Sequence, residues 1–288
     1  MKNHAASVRA KLKNQMKQTK EALHFIELQY VQERFLYRLS LSSCKEQFIL
    51  KGGTLFYVWA EQKYRPTKDL DFMFYGDLAR DVILDQIKEI CAIDYPEDGI
   101  NFVWSSFTYE EIKEAQEYDG LRINFTAKIG SSKIAMYLDI CTGDKITPAP
   151  LELSYPKLLA GFKEVKLKMY PKETVIAEKV HAMISLDLAN SRMKDYFDVY
   201  ILITEFSKDL SEEILIEALT STFSHRKTEI PTPPAKVWTS YFYNESIKIN
   251  QWKAFLRKNK ITLQVSLEDA CTEIGAVLNP LLLKKPVE

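Results

Sequence analysis

An α+β protein, with a sheet-bearing first half followed by a helical second half, is predicted by three features of the sequence. Short apolar runs lie between Phe48 and Ile140, one of them with carboxylates alternating at period two, glycine turns separate some of those runs, and from Pro171 onward the apolar spacing becomes that of helices. The 288 residues are 46% hydrophobic and 27% charged, with fifteen Tyr and fifteen Phe, which supplies ample core and excludes disordered and fibrous classes. The organisation expected is an N-terminal helical segment at 1–45, a core at 46–155 and a helical C-terminal domain at 156–288.

From Lys2 to Lys20 there is no acid, but there are six basic residues: Lys2, Arg9, Lys11, Lys13, Lys17 and Lys20. This patch is local, because 39 Lys plus Arg balance 39 Asp plus Glu and leave no net field to draw in a polyanion. Leu28, Val31, Phe35 and Leu39 then recur at helical spacing with Glu27, Glu33 and Arg34 between them, predicting an amphipathic helix over 20–41 whose apolar stripe is core. Phe48-Ile49-Leu50 reads as a strand, Lys51-Gly52-Gly53 as a turn and Leu55 to Ala60 as a helix. After a polar loop at 61–68, Asp69-Leu70-Asp71-Phe72-Met73-Phe74 is a strand that carries both acids on one face.

A helix is predicted over 78–92 and strands over 101–104, 121–125 and 134–140, the last two joined by a hairpin turn at Gly130-Ser131. The run Pro231-Thr232-Pro233-Pro234 separates the final helices from the rest. Four dispersed cysteines without a C-x-x-C pair suggest reduced thiols, and four scattered histidines give no zinc motif. With no apolar stretch long enough to span a membrane and no apolar leader, a cytoplasmic protein is expected.

Two same-face carboxylates one residue apart repel each other unless a cation lies between them, so Asp69 and Asp71 suit Mg²⁺ (or Mn²⁺) and the phosphates of a nucleotide. D-x-D also occurs at solvated strand ends, and a lone G-G pair is most often just a turn. The order strand, glycine turn with Thr54, helix and D-x-D gives the pair its meaning, because bare backbone N–H groups suit phosphate oxygens. Asp139, near the end of an apolar strand, either completes a three-acid cluster or opens the turn that follows. Lys179, beside the apolar face of Ile176, Val180 and Met183, fits both a structural pair and a triphosphate contact. Arg192, Asp195 and Asp198 share a helical face, with ordinary salt bridging as the simpler reading, and His181 reads as structural.

Taken together, Lys51-Gly52-Gly53-Thr54, Arg65-x-Thr67-x-Asp69-x-Asp71-Phe72, Glu178-Lys179-x-x-Ala182 and Arg192-x-Lys194-Asp195-x-x-Asp198 resemble the AbiEii/AbiGii toxin family of nucleotidyltransferases. The resemblance spans about residues 28 to 203. It implies a polymerase-β-like nucleotidyltransferase core with a mixed sheet, a helical C-terminal region, and transfer of NMP from an NTP to an acceptor hydroxyl with release of pyrophosphate. Related toxins modify RNA, notably tRNA acceptor ends. By the same match Asp69 and Asp71 are metal ligands, Gly52, Gly53 and Thr54 form the nucleotide-phosphate turn, Lys179 contacts the triphosphate and Asp195 is a functional aspartate. Asp139 matches a third metal acid by position only. The resemblance also implies a cognate antitoxin, a DNA-binding regulator that restrains the toxin without a stable complex. A tRNA acceptor would meet the N-terminal lysines and Lys163, Lys166, Lys168 and Lys172, for which solvated helices are the simpler reading. A small-molecule or protein acceptor, or a non-catalytic nucleotide-binding module, is the alternative; the intact D-x-D and Lys179 speak against decay.

Overall fold

The computed structural model describes residues 3–60, 65–76, 79–113 and 119–284. Lys2, residues 61–64 of the expected polar loop and Leu78 at the start of the expected 78–92 helix lie outside them. The chain divides into two compact units, one of residues 1–143 and 151–169 and one of residues 144–150 and 170–288.

The first unit opens with helices α1 (His4–Thr19) and α2 (Leu23–Leu41), followed by strand β1 (Phe48–Lys51), the short helix α3 (Leu55–Ala60), strand β2 (Asp69–Phe74) and helix α4 (Arg80–Ala92). Strands β3 (Ile100–Lys113), β4 (Asp119–Ile129), β5 (Ser132–Cys141), β6 (Leu151–Tyr155) and β7 (Val165–Met169) complete it. The seven strands form one mixed sheet in the order β3-β4-β5-β2-β1-β7-β6. β2 runs parallel to β5 and β1 parallel to β7, and the remaining neighbours are antiparallel. One side of each central strand is apolar: Leu70 and Phe72 of β2, Ile123 and Phe125 of β4, and Met136 and Leu138 of β5 are buried. Burying such a face is what fixes the register, because a slip of one residue would turn the acids inward.

Helix α2 differs from the amphipathic helix that the spacing predicts, being buried on every side from Ile26 to Leu39. It packs on β5 and β7 while α1 and α4 cover it from outside, so its polar residues are enclosed and must be satisfied internally. Glu33 pairs with Arg34 and accepts the Leu158 N–H at 2.8 Å, while Arg38 grips Asp98 at 2.5 Å. Burial outweighs these partners for both acids and raises their pKa values. The segment Val165–Met169, read with the helical part of the sequence, is strand β7. Its Val-Lys-Leu-Lys-Met pattern alternates buried with more exposed positions and pairs with β1 and β6.

The second unit is helical: α5 (Lys172–Leu186), α6 (Met193–Glu205), α7 (Glu212–His225), α8 (Ser240–Tyr243), α9 (Ser246–Lys258) and α10 (Leu267–Leu282). Helix α10 begins with a reciprocal capping box between Ser266 and Asp269. Tyr196 stacks on Phe242 with ring centroids 4.8 Å apart, and the Trp252 indole donates to the Val265 carbonyl at 2.9 Å. The loop residues 144–150 belong to this unit, held by Arg226 on Asp144 at 2.7 Å and by the Thr174 hydroxyl donating to the Thr147 carbonyl at 2.6 Å. No helix among the described residues is long and apolar enough to cross a membrane.

Candidate active site

The centre of the sheet places three acids together. Asp69 and Asp71 lie on the solvent side of β2, separated by the buried Leu70, as period-two alternation requires. Strand β5 runs parallel alongside, and its Asp139 stands in register opposite Asp71. One carboxylate oxygen from each of the three acids lies within 4.8 Å of the others, a set of hard oxygen ligands suited to a divalent cation such as Mg²⁺. The Asp69 Oδ1 accepts from the Thr67 hydroxyl and the Lys68 N–H, both at 3.2 Å.

The glycine turn touches this cluster. β1 pairs with β2 so that Lys51 lies opposite Asp71, and the chain then turns through Gly52 at φ +77°. A β-carbon on Gly52 would lie 1.9 Å from the Asp71 Oδ2, so only glycine allows the backbone this close to the carboxylate. At Gly53 a β-carbon would meet the Arg65 guanidinium at 2.8 Å, which places that cation over the turn. Thr54 is buried and its hydroxyl is hydrogen-bonded to the Tyr155 phenol, directed into the interior of the unit.

Arg122 joins the acids through β4. Its guanidinium lies edge-on along Asp139, with Nε–H donating to Oδ1 and Nη2–H to Oδ2, each at 2.6 Å, and Nη2 is 3.9 Å from the Asp69 Oδ2. The hydrogen bonds to Asp139 raise the arginine's pKa beyond its already high value. Tyr137, two residues before Asp139 on the same side of β5, is 38% exposed. Nothing in the local sequence marks Arg122 or Tyr137, and Arg65 stands in the Arg65-x-Thr67-x-Asp69 motif without a role of its own.

Lys179, Arg192, Asp195 and Asp198 come together in the second unit. The Lys179 ammonium lies 2.8 Å from Asp195 and 2.9 Å from Asp198, and Arg192 reaches Asp195 at 2.8 Å. Both aspartate side chains are buried. Burial alone would raise the Asp195 pKa, but Lys179 and Arg192 overcome it and hold the carboxyl below its usual range. His181 is buried against Thr228 and Ser185, and burial together with Arg226 pushes its pKa down to about 4, so it is neutral at physiological pH.

The two expected basic patches differ. Lys11, Lys13, Lys17 and Lys20 are exposed along α1 and at its end. In the second patch Lys166 faces Glu164 at 3.9 Å, Lys168 pairs with Glu46 at 2.8 Å and Lys172 with Asp209 at 3.2 Å, so much of its charge is offset locally.

Known proteins share this fold. The chain covers 90% of its own length and 91% of the other's when matched to the crystal structure of JHP933 from Helicobacter pylori, at a TM-score of 0.51 and 13% identity. The crystal structure of a candidate nucleotidyltransferase from H. pylori matches with a TM-score of 0.52 at 13% identity, covering 91% of this chain and 96% of that one. No curated protein matches. The family model described as nucleotidyl transferase AbiEii toxin, type IV TA system, matches residues 34–271. With a mixed seven-strand sheet, an acidic triad beside a glycine turn and a match over most of its length, the chain belongs to the AbiEii nucleotidyltransferase toxins of type IV toxin-antitoxin systems.

Proposed function

We propose that the protein transfers a nucleoside monophosphate from an NTP to the terminal hydroxyl of an RNA, such as a tRNA 3′ end, and releases pyrophosphate. The convergence of Asp69, Asp71 and Asp139 beside the Gly52-Gly53 turn carries this reading. Asp69 and Asp71 would hold Mg²⁺ (or Mn²⁺), which when bound supplies positive charge to the triphosphate and to the departing pyrophosphate. The two glycines keep the backbone bare for phosphate oxygens, and Arg65 adds a cation over the turn. Asp139 accepts the proton of the acceptor hydroxyl as the new P–O bond forms and the α–β bridging bond breaks. Asp195 is ion-paired with Lys179 and Arg192 in the second unit. Lys179 and Asp195 enter the proposal as functional residues through the sequence match, with a visible structural pairing beside that role.

An RNA acceptor is favoured by the exposed lysines of α1 and by Tyr137, which offers an aromatic face for a base beside Asp139. A cytoplasmic location and a DNA-binding antitoxin that restrains the toxin without a stable complex belong to the same proposal. Purified protein incubated with each α-labelled NTP and total RNA should label RNA. Asp71→Asn should lower transfer on the order of a hundredfold or more. Its melting temperature should hold or rise, because one of three crowded like charges is gone. Label appearing only on protein or a small molecule would overturn the RNA acceptor, and undiminished transfer by folded Asp71→Asn would overturn the acid site itself.

A further inference from the structure

Three carboxylates within 4.8 Å of one another repel strongly unless positive charge lies among them. Part of that charge comes from the protein itself. Arg122 spans both oxygens of Asp139 with two 2.6 Å hydrogen bonds, the fork geometry that makes an arginine–carboxylate pair strong and directional. The pairing is built into the sheet: β4 and β5 form a hairpin whose register sets Arg122 directly opposite Asp139. The same guanidinium approaches Asp69 at 3.9 Å. A divalent cation that uses Asp139 as a ligand must therefore come close to an arginine already holding both oxygens. The Arg122 side chain is 34% exposed, so it can swing toward water without repacking the core.

We infer that Arg122 is a built-in counter-cation that competes with a divalent metal for Asp139, leaving Asp69 and Asp71 as the standing metal pair. It acts as a positioning residue: it keeps the third carboxylate aligned in the metal-free protein and yields it when charge arrives with substrate. The arrangement makes the third ligand conditional, so the metal-free site carries less uncompensated charge and binds metal more weakly than three unpaired acids would. The inference takes its meaning from the nucleotidyltransferase reading, but its test does not depend on observing transfer.

The test is titration of Mn²⁺ into the nucleotide-free full chain, followed by the electron paramagnetic resonance of the free ion, with melting temperature as the check on folding. Arg122→Gln should bind Mn²⁺ about tenfold more tightly, the order expected from removing one nearby charge at a partly exposed site. Adding Asp139→Asn to Arg122→Gln should erase most of that gain, because the gain comes from the released carboxylate. Arg122→Lys keeps a charge but cannot span both oxygens, so it should fall between the two, about threefold tighter than the natural protein. Unchanged or weaker Mn²⁺ binding in folded Arg122→Gln would overturn the inference and leave Arg122 as a scaffold. An equal gain in the double variant would also overturn it, since the effect would then be a general field with no link to Asp139. Where Arg122→Gln fails to fold, unaltered affinity in Arg122→Lys overturns the inference on its own.

Discussion

Replacing Gly52 with alanine would put one methyl group where the Asp71 side chain already sits. The new carbon would lie 1.9 Å from the Asp71 Oδ2, 2.6 Å from its Cγ and 2.8 Å from its Cβ. Rotating the carboxylate relieves the first two contacts but not the third, because the Asp71 Cβ is fixed by the pairing of β2 with β1 and β5. The positive φ of +77° adds a backbone cost of about 1–2 kcal/mol for alanine. At roughly 2–4 °C per kcal/mol for a unit of this size, that cost alone should lower the melting temperature by about 2–8 °C. The larger effect is on the site: with Asp71 displaced, Mn²⁺ affinity should drop at least about tenfold. Gly161→Ala supplies the control, since Gly161 also has a positive φ, +91°, but nothing lies within 4 Å of its added carbon. It should pay the backbone cost alone and bind Mn²⁺ as the natural protein does. If Gly52→Ala keeps its Mn²⁺ affinity within twofold, the glycine does not seat Asp71, and the link between turn and acid pair is refuted.

Lys179→Ala leaves two buried carboxylates without their shared cation and should cost about 3 kcal/mol, whereas Lys179→Arg should cost less than half of that. Urea titration measures both, and equal stability of the two variants would deny the ion cluster a structural role; an NTP KM unchanged in both would deny the triphosphate contact. The lowered His181 pKa makes a pH prediction. Between the ordinary value near 6.5 and the folded value of about 4, the unfolded chain binds a proton that the folded chain refuses, so stability falls as pH drops through that window. The loss is about 3 kcal/mol across the window, with Arg226 and Asp144 the charged groups that act on the ring. In His181→Gln this component should vanish, and an identical pH profile in both proteins would reject it. Induction of the chain in its host should arrest growth and expression of a neighbouring antitoxin gene should relieve the arrest; harmless accumulation of active enzyme would argue against toxicity.

The elements with a strong periodic signal were legible in the sequence. Asp69 to Phe72 alternates, and the strand found over Asp69–Phe74 has both acids on one side. The segment Val165–Met169 was not, because five alternating residues after a long loop give little evidence against the helices that surround them in sequence. The burial of α2 was hidden for another reason. Its charged residues are those of a surface helix, and only the later segments that fold over them, with Leu158, Phe162 and Lys163 on Glu33 and Arg34 and with Ile93, Tyr95 and Asp98 on Arg38, make them interior. Periodicity reports which side of a helix meets the core but cannot report that a second layer covers the other side. Thr54 follows two glycines, a place that suits a phosphate contact, and the hydrogen bond of its hydroxyl with Tyr155 depends on a long-range neighbour that the local sequence does not name.

The acid cluster required a long-range pairing, β2 beside β5, that no local pattern specifies. Arg122 required much less. A two-residue turn at Gly130-Ser131 pairs Ile129 with Ser132, and counting outward in equal steps brings Arg122 opposite Asp139. An arginine across from a carboxylate on the exposed side of a hairpin is usually an ordinary cross-strand pair. This one is distinguished by what lies on the far side of Asp139: β2, with two more carboxylates and a cost of crowding that the arginine partly offsets. The same residue therefore has a bland meaning in the hairpin and a chemical one in the sheet, and the parallel pairing of β5 with β2 separates the two.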